Sequence, residues 1–221
     1  MILRLLVACF FVGSAIFFAE VARMNKWVSG ERARKLIHIL IGLWGAWLPL
    51  WLGWRSIIVL GFMLLIGVFV SNKFRWFRSI HSVSRSTAGE YFFPISMILL
   101  ALFFKNEIIF AAAMLQMGVS DGMAAVVGTR YGKKTSFKVV GNKKSIHGTA
   151  TFFILSSAIV FAGLTALHPG MSFLSAYSVF VTAVISAGIS TVLTIAELTS
   201  QKGLDNITVP LLTAISLGLL A

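Results

Sequence analysis

The amino-acid sequence predicts an all-α fold, a polytopic membrane helix bundle with seven to eight transmembrane helices in a single domain. Of its 221 residues, 58% are hydrophobic and only 12% are charged, whereas soluble domains are about one-quarter charged. The apolar runs are continuous and do not alternate with polar residues, so an outer-membrane β-barrel is disfavoured. A single cysteine excludes a disulfide-stabilised secreted domain, and the high hydrophobicity excludes a disordered chain.

Eight apolar runs are candidates for the spanning helices, since a helix needs about 20 mainly apolar residues to cross a bilayer. They are Ile2–Ala22, Leu36–Leu52, Arg55–Val70, Gly89–Phe104, Glu107–Gly128, Gly148–Leu167, Phe173–Ala196 and Leu204–Ala221. Two of these runs are short and one is a candidate re-entrant segment, which leaves the predicted count at seven to eight. No repeat or linker divides the chain, so we expect one membrane domain over residues 1–221.

Basic residues are concentrated in every second loop of this topology. The loops after the first, third, fifth and seventh runs contain five, four, six and one Lys or Arg, 16 of the 19 in the chain. Positively charged loops are typical of the cytoplasmic side of a membrane. We therefore expect these four loops in the cytoplasm and both chain termini on the opposite side.

Most of the acidic residues lie at the same face of the predicted bundle. Five of the seven are at or near cytoplasmic span ends, namely Glu20, Glu90, Asp121, Glu197 and Asp205. Asp121 lies within a span, where a charge costs about 2.5–3.5 kcal/mol and usually faces a partner or a wet cavity. Ala125 and Gly128 share its helix face and would let a ligand approach closely. We favour a functional role over the alternative, a structural ion pair with a neighbouring helix.

A polar stripe on the seventh run ends at Glu197. Its other members, spaced by three or four residues so that all lie on one helix face, are Ser186, Ser190 and Thr194. Such a face is not expected to contact lipid. Asp205 and Asn206 open the last run, where helix capping alone would also explain them.

Basic and glycine residues accompany these carboxylates. Arg34, Lys35 and His38 open the second run and predict part of an anion site, and Arg85 precedes the fourth run. The loop after the fifth run has the sequence GTRYGKKTSFKVVGNKKSIHG. In this loop we assign five residues to phosphate binding: Gly128, Lys143, Lys144, Ser145 and Gly148.

That loop has the composition expected of a phosphate site. Glycine permits close backbone approach and lysine neutralises phosphate charge. A helix that begins after Lys144 and Ser145 would add free N–H groups and a positive dipole end. The loop does not match the Walker A pattern, and a positive-inside loop alone would explain its lysines but not its glycines. Clustered cations and carboxylates together predict a nucleoside triphosphate with Mg²⁺, and the apolar spans predict a lipid acceptor.

Four ordered motifs resemble the polyprenol kinase family. They are RKLIHILIG at Arg34–Gly42, SDGMAAVVGTRYG at Ser120–Gly132, NKKSIHGTATFF at Asn142–Phe153 and ELTSQKGLDNITVPL at Glu197–Leu211. The family includes dolichol kinase, phytol and farnesol kinases and the CTP-dependent diacylglycerol kinase, and is distantly similar to the phosphatidate cytidylyltransferases. The chain length is similar to that of a bacterial or archaeal phytol-kinase-like protein, which implies an integral protein of the plasma membrane with its active site in the cytoplasm.

The resemblance implies transfer of the γ-phosphoryl group of CTP, less often UTP, to a lipid hydroxyl with Mg²⁺. Asp121, Glu197 and Asp205 would be the catalytic and metal-binding carboxylates. The phosphate-binding and nucleotide-binding set would be Arg34, Lys35, His38, Arg85, Gly128, Lys143, Lys144, Ser145, Gly148 and Asn206. The expected partners are the bilayer, the nucleotide and a lipid alcohol, with no nucleic acid.

Several functions remain open at this stage. An isoprenoid alcohol such as phytol, geranylgeraniol or a polyprenol is the first acceptor, and diacylglycerol is the second. A phosphatidate cytidylyltransferase is the next alternative, followed by an ion-coupled transporter in which Asp121 and Glu197 would form the ion site. The transporter is disfavoured because the chain has no repeat and its charges lie at one face.

Overall fold

Continuous apolar runs form the helices of this protein. A computed structural model describes residues 2–28, 30–74, 88–168 and 176–221. Within these ranges the chain forms eight α-helices and one short β-hairpin. The helices are α1 (Ile2–Met24), α2 (Gly30–Ala46), α3 (Trp54–Phe74), α4 (Gly89–Phe103), α5 (Glu107–Tyr131), α6 (Ile146–Leu167), α7 (Ala176–Thr199) and α8 (Asp205–Gly218). The predicted all-α, membrane-type fold is confirmed.

The number of membrane spans is not confirmed at seven to eight. Five of the described helices are long and apolar enough to cross a membrane, namely Ile2–Met24, Trp54–Phe74, Glu107–Tyr131, Ile146–Leu167 and Ser178–Thr199. Helices α2, α4 and α8 have only 17, 15 and 14 residues. At about 1.5 Å per residue, helices of this length fall short of a hydrocarbon core that is about 30 Å thick.

Helix α5 lies at the centre of the bundle. Its apolar window is 67% buried, whereas the windows of the other four long helices are 17% to 28% buried. A π-helical turn, Gln116–Ser120, interrupts α5 between the α-helical segments Glu107–Leu115 and Asp121–Tyr131. Such turns often occur at functional sites, and Asp121 follows this one directly.

Buried polar groups connect α5 to α6 and α7. Gln116 in the π-helical turn donates a hydrogen bond of 2.9 Å to Ser156 Oγ, which in turn donates to Ser190 Oγ at 3.1 Å. The four members of the polar stripe on α7, Ser186, Ser190, Thr194 and Glu197, are all buried. The prediction that this helix face contacts protein is therefore confirmed.

Helix α2 packs on α5 with the two backbones almost in contact. A Cβ atom on Gly42 would lie 2.5 Å from Gly118 Cα, and one on Gly122 would lie 2.3 Å from the side chain of Ile39. Small residues permit such an approach. The contact brings the first turns of α2 alongside Asp121 on α5.

The loop between α5 and α6 contains an antiparallel hairpin that the sequence did not predict. Strand β1 is Ser136–Val139 and strand β2 is Asn142–Ser145, with Lys138 opposite Lys143. Val140 and Gly141 form the turn, and both have a positive φ, of 45° and 81°, as a type I′ turn requires. Lysines at three of the eight strand positions obscure any apolar alternation, so the sequence pattern does not predict a strand.

Candidate functional site

A polar cavity of about 870 Å³ occupies one end of the bundle. The carboxyl ends of α5 and α7 meet there with the amino ends of α2, α6 and α8 and with the hairpin. Eleven of the thirteen predicted site residues line it: Arg34, Lys35, Asp121, Gly128, Lys143, Lys144, Ser145, Gly148, Glu197, Asp205 and Asn206. The fold therefore brings together residues that are up to 172 positions apart, from Arg34 to Asn206, while their individual roles remain predictions.

Two predicted site residues are not among the described residues that line this cavity. His38 lines a second cavity. Arg85 lies outside the described residues. Two further lysines line the polar cavity, Lys133 and Lys202. In the sequence, Lys133 is one of the lysines of the glycine-rich loop and Lys202 is the basic residue of the last cytoplasmic loop, and sequence position alone does not show which loop lysines point into a site.

The carboxylates of the polar cavity are partly paired with lysines. Lys35 Nζ donates to Asp121 Oδ2 at 2.6 Å. Lys144 Nζ forms an ion pair with the Glu197 carboxylate and donates to the Glu197 carbonyl oxygen at 3.1 Å. Asp205 makes no ion pair with any residue that the structure describes. Its Oδ1 accepts a hydrogen bond of 3.1 Å from the Asn206 N–H.

The lining of the polar cavity has an excess of positive charge. Among the described residues that line it, six cationic side chains accompany three carboxylates. The cations are Arg34, Lys35, Lys133, Lys143, Lys144 and Lys202. Because a confined space with one dominant sign of charge concentrates ions of the opposite sign, this cavity suits a polyanion.

The start of α6 contributes to the same lining. Ser145 is the N-cap of α6, and its Oγ accepts from Gly148 N at 3.1 Å, so the predicted helix start is confirmed. The first-turn N–H groups and the positive end of the helix dipole lie at the cavity, which favours an anion there. The neighbouring glycine has a packing role, because a Cβ on Gly132 would lie 2.3 Å from Ser145 Oγ.

The start of α8 is fixed by contacts with α4. Asn206 Nδ2 donates to Gly89 O at 2.8 Å, and Ala88 N donates to Lys202 O at 3.0 Å. Gly203 has φ +89°, and a Cβ there would lie 2.5 Å from Gly89 Cα. These contacts hold Asp205, the first residue of α8, at the edge of the polar cavity.

The hairpin is attached to the end of α7. Asn142 Nδ2 donates to Ser200 O at 3.1 Å. Two residues further along the same strand, Lys144 forms its ion pair with Glu197. Lys143, the residue between them, is exposed and lines the cavity. Strand alternation thus separates the roles of neighbouring lysines, one paired with a carboxylate and one unpaired among the described residues.

The three carboxylates were predicted to bind Mg²⁺. Asp121, Glu197 and Asp205 all line the polar cavity. No group of three or more His, Cys, Asp or Glu side chains in the described part of the chain is arranged to hold a metal by itself. Mg²⁺ usually binds one or two carboxylates together with substrate phosphates and waters. The donor set therefore fits an ion that binds with a nucleotide.

His38 lies at the junction of the two cavities. Its Nε2 is 3.7 Å from Asp121 Oδ2, and its ring contacts Phe93 edge-on with centroids 5.0 Å apart. It lines the second cavity, of about 370 Å³, whose walls are mainly apolar. Arg34 and Asn206 line both cavities.

Comparison with known proteins agrees with the sequence motifs. The chain is 31% identical over 217 residues to a phytol kinase of Synechocystis sp. (strain ATCC 27184 / PCC 6803 / Kazusa), which covers 95% of this chain and 88% of the relative. No family model matches the chain, and no solved structure matches it. Similarity at this level over nearly the whole of both proteins confirms the resemblance drawn from the four motifs. The chain belongs to the polyprenol kinase family, the family that includes the phytol kinases.

Proposed function

We propose that this protein transfers the γ-phosphoryl group of CTP to the hydroxyl group of an isoprenoid alcohol in the membrane, with phytol and geranylgeraniol as the first candidates. The observation that carries the proposal is a polar cavity at one end of an apolar bundle, whose described lining includes six cations and three carboxylates. The similarity to a protein named phytol kinase supports both the reaction class and the acceptor. CTP is proposed from the family resemblance, with UTP as the second donor.

The lysines and arginine of the polar cavity would bind the phosphates. Lys143 and Arg34 line the cavity, and Lys35 and Lys144 are already held there by Asp121 and Glu197. A triphosphate would compete with the two carboxylates for these lysines, because phosphate oxygens and carboxylate oxygens accept from the same donors. The competition would release carboxylate oxygens for a cation that accompanies the nucleotide.

The proposed reaction is an in-line phosphoryl transfer. The lipid hydroxyl oxygen bonds to the γ-phosphorus, the bond from that phosphorus to the β,γ-bridging oxygen breaks, and the products are a lipid monophosphate and CDP. The hydroxyl proton passes to a carboxylate of the cavity, Asp121 or Asp205. Lys143 and Lys144 hold the phosphates in position. Mg²⁺, bound by Asp121 with Glu197 or Asp205, would supply further charge neutralisation for the phosphates.

The basic end of the bundle is proposed to face the cytoplasm. The loops that form the polar cavity are those with most of the basic residues, and such loops are typically cytoplasmic. In this arrangement the polar cavity takes CTP from the cytoplasm, and the acceptor alcohol comes from the bilayer. We place the protein in a bacterial or archaeal plasma membrane.

Position-specific labelling of CTP tests the reaction. The purified protein in phospholipid nanodiscs is given phytol with either γ-labelled or α-labelled CTP, and the lipid fraction is counted. We expect the γ label alone to enter lipid, and the Asp121→Asn variant to lose this transfer while its expression in membranes is unchanged. Entry of the α label would identify a cytidylyltransferase, and transfer to diacylglycerol but to no isoprenoid alcohol would reassign the acceptor. No transfer to any lipid would refute the proposed function.

A further inference from the structure

The second cavity lies between α1, α2, α3 and α4, beside the polar cavity. Most of its wall is apolar, with Val12 from α1, Ile41 from α2, Leu64 from α3 and Phe93 from α4 as examples. Its volume of about 370 Å³ falls in the range of small-molecule sites, about 300–1,000 Å³. An apolar cavity of this size among membrane helices suits a hydrocarbon rather than a nucleotide.

Polar side chains gather at one end of this cavity. His38 lies there with Arg34 and Asn206, the two residues that also line the polar cavity. His38 Nε2 is buried and makes no direct hydrogen bond to any described residue, although Asp121 and Asn206 are its polar neighbours. A buried nitrogen without a direct hydrogen bond is costly, so a ligand hydroxyl that hydrogen-bonds to it would be stabilised. The 3.7 Å separation from Asp121 Oδ2 places such a hydroxyl next to the polar cavity.

The apolar end of the cavity extends to the lipid-facing side of the bundle. Met63 of α3 lines the cavity and is 45% exposed. Gly67, one turn further along α3, also lines it, and a Cβ atom added there would meet nothing within 4 Å. The cavity therefore joins an apolar opening at α3 to a polar junction at His38.

We infer that this second cavity binds the acceptor alcohol, with its hydroxyl hydrogen-bonded to His38 Nε2 and its first carbon atoms between α2, α3 and α4. The rest of the hydrocarbon chain extends past α3 into the bilayer. This inference rests on the proposed function, because it supplies that reaction with its second substrate. It assigns His38, which the sequence placed among the phosphate ligands, to the acceptor.

A leucine at position 67 tests the inference by filling the cavity. Gly67→Leu puts a side chain into open space, and leucine is a better helix former than glycine, so the helix is not expected to unfold. Gly188→Leu is the matched control, because Gly188 on α7 is also exposed in an apolar helix, has open space around its Cβ position and does not line the cavity. We expect Gly67→Leu to raise the KM for phytol at least about tenfold, as for an overfilled hydrophobic pocket. The KM for CTP should stay unchanged, and Gly188→Leu should match the unmodified protein in both.

Photolabelling provides a readout that does not depend on activity. A diazirine analogue of geranylgeraniol is irradiated with the protein in nanodiscs, and labelled peptides are located by mass spectrometry. We expect labels on α2, α3 or α4, with less labelling in Gly67→Leu than in Gly188→Leu. His38→Ala should raise the KM for the alcohol, and His38→Gln, which keeps a hydrogen-bonding group, should restore part of the affinity.

The outcomes separate the two proposals. If no alcohol is phosphorylated but the analogue labels the cavity, the proposed function fails while the lipid site stands. If the protein phosphorylates phytol but the two leucine variants behave alike, or the label lies on other helices, the acceptor site is wrong. Labelling of the cavity together with a selective rise in the KM for phytol supports both.

Discussion

Replacement of Gly42 by alanine should separate α2 from α5 and lower the rate of phosphoryl transfer. Gly42 lies one turn beyond His38 on α2, and it touches the π-helical turn of α5 that precedes Asp121. An added Cβ atom would lie 2.5 Å from Gly118 Cα and 3.2 Å from Gly118 N. Both are backbone atoms in a buried helix, so the clash cannot be relieved by a change of rotamer.

The size of the effect follows from these distances. Ordinary carbon–carbon contacts are about 3.5–4.0 Å, so the two helices must move apart by about 1 Å. The distance from Lys35 Nζ to Asp121 Oδ2, now 2.6 Å, would then approach about 3.6 Å, so the cations of α2 and the carboxylate of α5 would be misplaced relative to each other by about 1 Å. Because a misplacement of about 1 Å at an active site can cost about 100-fold in rate, we expect kcat to fall by about that factor.

Gly45→Ala is the matched control, since Gly45 lies on the same helix one turn further along. Its added Cβ would also meet an atom at 2.5 Å, but that atom is Met114 Cε, the end of a flexible side chain that can move aside. The assay is the initial rate of γ-label transfer to phytol for both variants, with the melting temperature of each recorded in detergent. Equal rates in Gly42→Ala and Gly45→Ala would refute the claim that the backbone contact aligns the site.

Three further predictions concern the polar cavity. Lys144→Met should destabilise the protein by about 3 kcal/mol, because it leaves the buried Glu197 carboxylate unpaired. The double variant that also carries Glu197→Gln should regain the stability but not the activity. Equal denaturation midpoints for the single and double variants would contradict this. Ser145→Ala should cost about 1 kcal/mol through loss of the α6 N-cap, measured by the same denaturation. Lys143→Ala should raise the KM for CTP and weaken the dependence of that KM on salt concentration. Lys105 is exposed and far from the cavity residues in sequence, so Lys105→Ala should change neither quantity. An unchanged KM for CTP in Lys143→Ala would remove that lysine from the site.

The amino-acid sequence predicts the helices and the gathering of the site well, for physical reasons. A span of apolar residues has few alternatives to a helix in a membrane. The positive-inside rule places the basic loops on one side, and Lys144, Asp121 and Asp205 lie in or next to those loops, so all three meet at one end of the bundle. The serine before Ile146 predicts the start of α6 because capping is a local interaction. These features depend on residues close together in the chain or on a property shared by whole loops.

The features that the sequence does not predict depend on contacts between helices. The second cavity is the space left between α1, α2, α3 and α4, and no periodicity within one helix encodes it. His38 follows Arg34 and Lys35 in the chain, so proximity assigned it to the phosphates, whereas the packing of α2 directs it to the apolar cavity. The hydrogen bonds at the π-helical turn are likewise contacts between helices, since Gln116 donates to Ser156 on α6 and Ser156 donates to Ser190 on α7.

The first turns of α2 explain how one short helix serves two cavities of opposite polarity. Arg34 and His38 are four residues apart and lie on the same helix face, which is why both line the apolar cavity. Lys35 is one residue on from Arg34 and is rotated by about 100° around the helix axis, which directs it to Asp121 on α5. The spacing of basic residues in RKLIH thus directs Lys35 to the polar cavity and His38 to the wall of the apolar cavity, while Arg34 lines both. A shift of α2 by one residue would rotate these side chains by about 100° away from their present cavities, so the Gly42 contact with α5 fixes not only the distance between the helices but also which cavity each side chain lines.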